Sequence, residues 1–105
     1  MTEHGKLVRD RIPQIIEESG GTPATRILSD AERLPALLDK LDEESAELRA
    51  AVANAERLEE LVDVLEVIRA IATEINATWR DVETAADAKR SDRGGFANGI
   101  WLSME

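Results

Sequence analysis

The sequence predicts an all-α protein, an antiparallel helical bundle whose core is completed by oligomerisation. Apolar residues recur at intervals of three, four and seven along two long stretches, the pattern of amphipathic helices. The link between those stretches is short, which joins them as an antiparallel hairpin. A chain of 105 residues buries only a modest core, and such chains often complete it with a second copy.

The elements follow in order. Met1 to Gly5 reads as a polar lead, and the single histidine, His4, lies in that terminal segment, a poor place for a catalytic group. Lys6 to Pro13 leads into a short helix over Gln14–Ser19, with Pro13 near its first turn and Gly20-Gly21 ending it. Thr22-Pro23 opens a connection, and Thr25–Leu28 reads as a short extended segment. Ser29-Asp30 forms an N-cap region for a long helix running to about Ala55, its apolar set being Leu34, Leu37, Leu38, Leu41, Leu48 and Val52. After a break near Asn54, a second long helix spans about Arg57 to Thr78 on Leu58, Leu61, Val62, Leu65, Ile68, Ile71, Ala72 and Ile75. A third begins at Trp79 or Asp81 and runs to about Arg90. Gly94-Gly95 breaks the pattern, and Phe96–Leu102 reads as a short strand. A small two-stranded hairpin of Thr25–Leu28 with Gly99–Leu102 is the β feature the pattern allows. With no repeat or linker, residues 1–105 read as a single domain.

Composition narrows the function classes. The formal net charge of −9 argues against a nucleic-acid polymer as partner, since the phosphate backbone is repelled by that field. Without cysteine there is no disulfide, thiolate metal site or cysteine–histidine chemistry, and one histidine gives a Ser-His-Asp site little support. Neither GxxxxGK[ST] nor GxGxxG occurs, so a P-loop is excluded. With no apolar run of membrane-spanning length and no signal-peptide core, a cytoplasmic protein without membrane attachment is the expectation.

Two acidic pairs stand out, Glu44/Glu47 and Glu60/Asp63, each spaced i, i+3 and so one turn apart on one helix face. Spacing alone says little, because 22 acids in 105 residues give roughly four such pairs by chance. Wheel position says more. At about 100° per residue, Glu44 falls between Leu37 and Ala51 inside the apolar arc, with Glu47 at its edge. Glu60 falls between Val67 and Ile71 inside the arc of the next helix, with Asp63 at its edge. Buried carboxylates are costly unless paired, protonated or metal-bound, and a divalent cation resolves the repulsion of four that face one space. All-oxygen ligation favours Mg²⁺, or Mn²⁺, over zinc, and Mg²⁺ commonly bridges substrate phosphates. Phosphate-ester hydrolysis is the natural chemistry of such a site. Glu43, on a different face, reads as supporting or solvated.

Basic residues gather at Lys6, Arg9 and Arg11 and again at Lys89, Arg90 and Arg93. Both clusters are suppliers of cations for a polyphosphate, or else ordinary surface charge and helix C-terminal complementation. Trp79, Phe96 and Trp101 read as core or interface residues rather than base-stacking platforms.

Lys40-Leu-Asp-Glu-Glu-Ser-Ala-Glu-Leu48 followed by Glu60-Leu-Val-Asp63 resembles the EExxE…ExxD signature of the MazG-like, all-α nucleotide pyrophosphohydrolases, the superfamily of phosphoribosyl-ATP pyrophosphohydrolase. The KLVRDRIP opening and the KRSDRGGF…GIWL closing resemble its short house-cleaning branch, so the likeness runs from Lys6 to Leu102. The resemblance implies Glu44, Glu47, Glu60 and Asp63 as catalytic metal ligands. It implies Lys89 and Arg93 as phosphate contacts, and it matches Lys6, Arg9 and Asp10 to the branch's N-terminal block. It further implies hydrolysis of a non-canonical or surplus nucleoside triphosphate to monophosphate and pyrophosphate by metal-activated water, in a homo-oligomer, a dimer first. Phosphoribosyl-ATP hydrolysis and a non-catalytic helical dimerisation or binding module are the alternatives.

Overall fold

The computed structural model describes residues 5–104, which leaves His4 outside the described residues. Four helices follow one another: α1 (Ile12–Glu18), α2 (Asp30–Ala50), α3 (Asn54–Glu74) and α4 (Trp79–Arg93). The all-α expectation holds.

Each boundary has a local cause. Pro13 sits in the first turn of α1, where a missing N–H costs nothing. Gly20 then turns with φ +92°, and the Gly21 N–H donates to the Ile16 carbonyl at 2.9 Å. At the start of α2, Glu32 accepts from the backbone N–H of Ser29 at 2.9 Å and from its hydroxyl at 3.0 Å. Arg26 closes on the same carboxylate through two nitrogens, at 3.1 and 3.0 Å. These donors hold the Glu32 carboxyl down at about 2, the Arg26 guanidinium first among them. Thr78 and Asp81 form a reciprocal capping box on α4: the Asp81 N–H donates to the Thr78 hydroxyl at 3.0 Å, and the Thr78 N–H to the Asp81 carboxylate at 2.9 Å.

α1 starts at Ile12, α3 starts at Asn54 and α4 runs to Arg93, each two or three residues beyond expectation, while the two long helices end short of it. α2 stops at Ala50 rather than Ala55, because the backbone turns extended at Ala51 and α3 starts at Asn54. Val52 continues the i+4 spacing from Leu48 but lies in the link, exposed. α3 stops at Glu74 rather than Thr78, since Asn76 adopts φ 61° and the Ala77 N–H returns to the Ala72 carbonyl at 2.8 Å. Thr78 is thereby free to cap α4.

The expected β-hairpin is a correction: no strand occurs among the described residues. Residues 22–29 and 97–104 are irregular, and Ile27, Ile100 and Trp101 are all exposed. Two short isolated strands have too few partners to persist by themselves, and Gly99 loosens the second.

α2 and α3 make the principal packing pair, and α4 lies more lightly on α3. The three-residue link and the ion pair of Arg33 Nε with Glu74 Oε2, at 3.3 Å, set the head of α2 beside the tail of α3, an antiparallel hairpin. The Arg69 guanidinium lies 4.7 Å from the centre of the Trp79 ring and ties α3 to the start of α4. Among the described residues the buried side chains are few: Leu37, Val67 and Ala72, and one carboxylate, Glu44.

The solvent-accessible surface is 9349 Å², whereas a compact monomer of this mass exposes about 5,800 Å². The Cα radius of gyration is 17.5 Å, against about 13 Å for a compact domain of this length. Much of the excess is apolar. Leu58, Leu61, Val62 and Leu65 form an i, i+3, i+4, i+7 stripe along α3 and are all exposed. Of the three large aromatics expected in core or interface, Trp79 is half-buried, while Phe96 and Trp101 stand out in solvent. No helix among the described residues is long and apolar enough to cross a membrane.

Candidate metal centre

The hairpin turns two one-turn spacings into one cluster. Glu44 and Glu47 stand on α2, Glu60 and Asp63 on α3. Carboxylate oxygens of Glu44, Glu60 and Asp63 lie within 4.8 Å of one another across the helix pair. A second group, within the same limit, joins Glu43, Glu44 and Glu47 along α2. Glu44 belongs to both and is the hub. Glu47, exposed, meets the cluster through the α2 group rather than through the triad that spans the helices.

Glu43, read from the sequence as supporting or solvated, joins the α2 group. Its carboxylate reaches the α2 group because Lys40 gathers it: Lys40 Nζ is 3.4 Å from Glu43 Oε2 and 3.3 Å from Glu44 Oε1. Lys40 itself was not anticipated as part of the site, although its i−4 relation to Glu44 is a readable signal. Burial works against the Lys40 charge, yet the hydrogen bonds and charges of Glu44 and Glu43 outweigh it and raise the ammonium above its ordinary range.

Glu44 is only 7% exposed. Burial pushes its carboxyl above the usual carboxylate range and Glu47 adds to the rise, against the opposing pull of Lys40. Lys40 engages Oε1 alone. Oε2 of Glu44 and Oε2 of Glu60 are both buried and accept no hydrogen bond from the described residues. Two buried carboxylate oxygens without donors, in a group completed by Asp63, match a hard divalent cation that takes oxygen ligands. The donor set fits Mg²⁺ or Mn²⁺.

Of the cations expected near phosphate, one reaches the cluster. Arg9 Nη2 donates to Asp63 Oδ1 at 2.7 Å, carrying the segment before α1 onto α3. Lys6 is exposed, and so is Lys89. Arg93 pairs with its neighbour Asp92 at 3.8 Å, and Arg90 with Asp87 at 3.7 Å. Among the described residues no ion pair joins Lys89 or Arg93 to the four carboxylates. Beside Asp63, a shallow cleft is lined by Leu58, Glu59 and Val62.

Compared with known proteins, the chain is 65% identical over 46 residues to an uncharacterised protein of Mycolicibacterium smegmatis. The match covers 44% of this chain and spans about half of that relative, 47% of its length. No family model matches the chain, and no solved structure does.

Proposed function

We propose that this chain is a Mg²⁺-dependent nucleotide pyrophosphohydrolase, releasing a nucleoside monophosphate and pyrophosphate from a non-canonical or surplus nucleoside triphosphate. The observation that carries the metal is the pair of buried, donorless oxygens on Glu44 and Glu60, grouped with Asp63. Cleavage between the α- and β-phosphates follows from the resemblance of the EExxE…ExxD pattern and its flanking blocks.

Glu44, Glu60 and Asp63 would hold the ion, with Glu47 reaching it from the next turn of α2. A bound Mg²⁺ supplies neutralisation of phosphate oxygens and a water acidic enough to attack. The chain's own residues do the rest. Lys40 fixes the Glu44 carboxylate through Oε1 and leaves Oε2 without a hydrogen-bond donor. Arg9, already at Asp63, would contact a substrate phosphate, and Lys6, Lys89 and Arg93 would supply further cations for the outgoing pyrophosphate. The cytoplasm, with its nucleotides and Mg²⁺, is the compartment this reaction suits. The uncovered α3 stripe supports assembly as a homo-oligomer, a dimer first.

The same stripe favours a second reading, a helical association module in which the carboxylates are spectators. Pyrophosphate release from a nucleotide panel, phosphoribosyl-ATP included, separates the two when run with and without Mg²⁺ on wild type and Glu44→Gln. Turnover that survives EDTA or the substitution sinks the proposed site. Release from no nucleotide at all favours the association module.

A further inference from the structure

We infer that the C-terminal segment Phe96–Met104 of one copy docks on the apolar α3 stripe of a second copy, beside that copy's carboxylate cluster. Two surfaces on one chain ask for cover. The stripe of Leu58, Leu61, Val62 and Leu65 faces solvent over two turns of α3. The segment after α4 is just as bare, with Phe96 fully exposed, Ile100 85% and Trp101 90%. Each is the kind of apolar patch a folded chain rarely leaves in water. The chain tethers both, yet on its own it does not bring them together.

Area argues for a second copy as the occupant. The surface exceeds the compact-monomer value by about 3,500 Å², well above the roughly 800 Å² that one partner contributes to a standard interface. A two-fold exchange covers both stripes and both tails at once, since an isologous contact uses the same patches twice.

Charge fits the same arrangement. From Gly94 to Met104 no side chain is charged, in a chain that is 33% charged. The residues just before, Lys89, Arg90 and Arg93 against Asp92, leave this end net positive. Glu59, Asp63 and Glu66 edge one side of the α3 stripe. An apolar tail led by cations thus meets an apolar stripe edged by anions, and complementarity of that kind fixes orientation. Docking at Val62 would bring the partner's α4 end toward the site that lacks Lys89 and Arg93 within a single chain.

The inference rests on the chain pairing with itself, and the test separates the two claims. The sequence has no cysteine, so introduced thiols report without background. Full-length Val62→Cys and Trp101→Cys proteins are mixed, oxidised and resolved, with sedimentation measured on the wild type. The expected result is a dimer joined by a disulfide between residues 62 and 101 of different chains, at least tenfold above the product of either variant alone. Trp101→Glu should weaken association at least tenfold while keeping the helical circular dichroism of the wild type. A wild-type monomer overturns the pairing and the docking together. A dimer that cross-links Val62→Cys only to itself, or a doubly substituted chain that closes its disulfide internally as a monomer, overturns the docking alone.

Discussion

Arg9 holds Asp63: its Nη2 donates to Oδ1 at 2.7 Å, across 54 positions of sequence. The contact places a guanidinium on one of the three carboxylates that span the hairpin. Both side chains are partly exposed, 52% and 39%, so screening keeps the pair's worth to folding at about 1 kcal/mol or less. Arg9→Ala should therefore change urea-unfolding stability by no more than that, while pyrophosphate release falls. Arg9→Lys should restore the charge but not the planar fork, and so recover activity only in part. A loss of stability well beyond about 1 kcal/mol would show that Arg9 is a strut rather than a substrate contact.

Glu44→Gln removes a charge that burial opposes while keeping the shape. The sign follows from the raised carboxyl: its contribution is fully present below the unfolded pKa and lost as pH rises through the higher folded value. At neutral pH the ionised group therefore costs the metal-free fold stability. Metal-free Glu44→Gln should melt at or above the wild-type temperature. Wild type at about one hundred times its Kd for Mg²⁺ should gain about 2.7 kcal/mol by linkage, and the variant should gain almost nothing. Scanning calorimetry with and without Mg²⁺ reads both numbers, and an equal gain in the two proteins would remove Glu44 from the site.

Acidification tests the cluster differently. Protons compete with metal for Glu44, and its raised carboxyl makes that competition effective at higher pH than at an exposed glutamate. The Mg²⁺-induced rise in Tm should shrink as pH falls below neutral, and sooner than competition at an exposed glutamate would produce. A rise that stays constant down to acid pH would mean Glu44 does not bind the ion.

Glu32 gives the opposite sign at the other end of α2. Arg26 and Ser29 lower its carboxyl to about 2, so its contribution is present above the unfolded value and lost as pH falls through the folded one. Glu32→Ala should lower Tm at neutral pH. The gap from wild type should close between about pH 4.5 and about pH 2. Thermal melts followed by circular dichroism across that range decide it.

The core and the stripe should respond differently to truncation. Leu37 is buried on α2, and Leu37→Ala should cost about 2–4 kcal/mol at any protein concentration. Leu61 is exposed on α3, and Leu61→Ala should instead raise the dissociation constant of the assembly. Denaturation at two protein concentrations, with sedimentation, distinguishes the two effects.

Much of this was legible in the sequence, for identifiable reasons. The wheel positions of Glu44 and Glu60 among leucines and valines foretold that these carboxylates turn inward, because helical periodicity decides which face is covered. Helix ends were harder. Val52 keeps perfect i+4 spacing from Leu48 yet lies in the link, since periodicity does not register where the backbone turns extended. The β-hairpin failed because Thr25–Leu28 and Phe96–Leu102 have strand-like composition, while pairing depends on where the chain carries them. Lys40 escaped notice although it stands i−4 from Glu44, because its flexible ammonium, which also draws Glu43 toward the group, was not weighed as a partner of a buried carboxylate.

The surplus surface has a consequence for dosage. Were a second copy to cover it, the chain would answer to mass action, its folded population and melting temperature climbing with the amount present. Scarce copies, carrying bare leucines and a bare tryptophan, would be the first exposed to proteases and chaperones. Output would then rise more steeply than expression, and the amount of protein would itself act as a threshold.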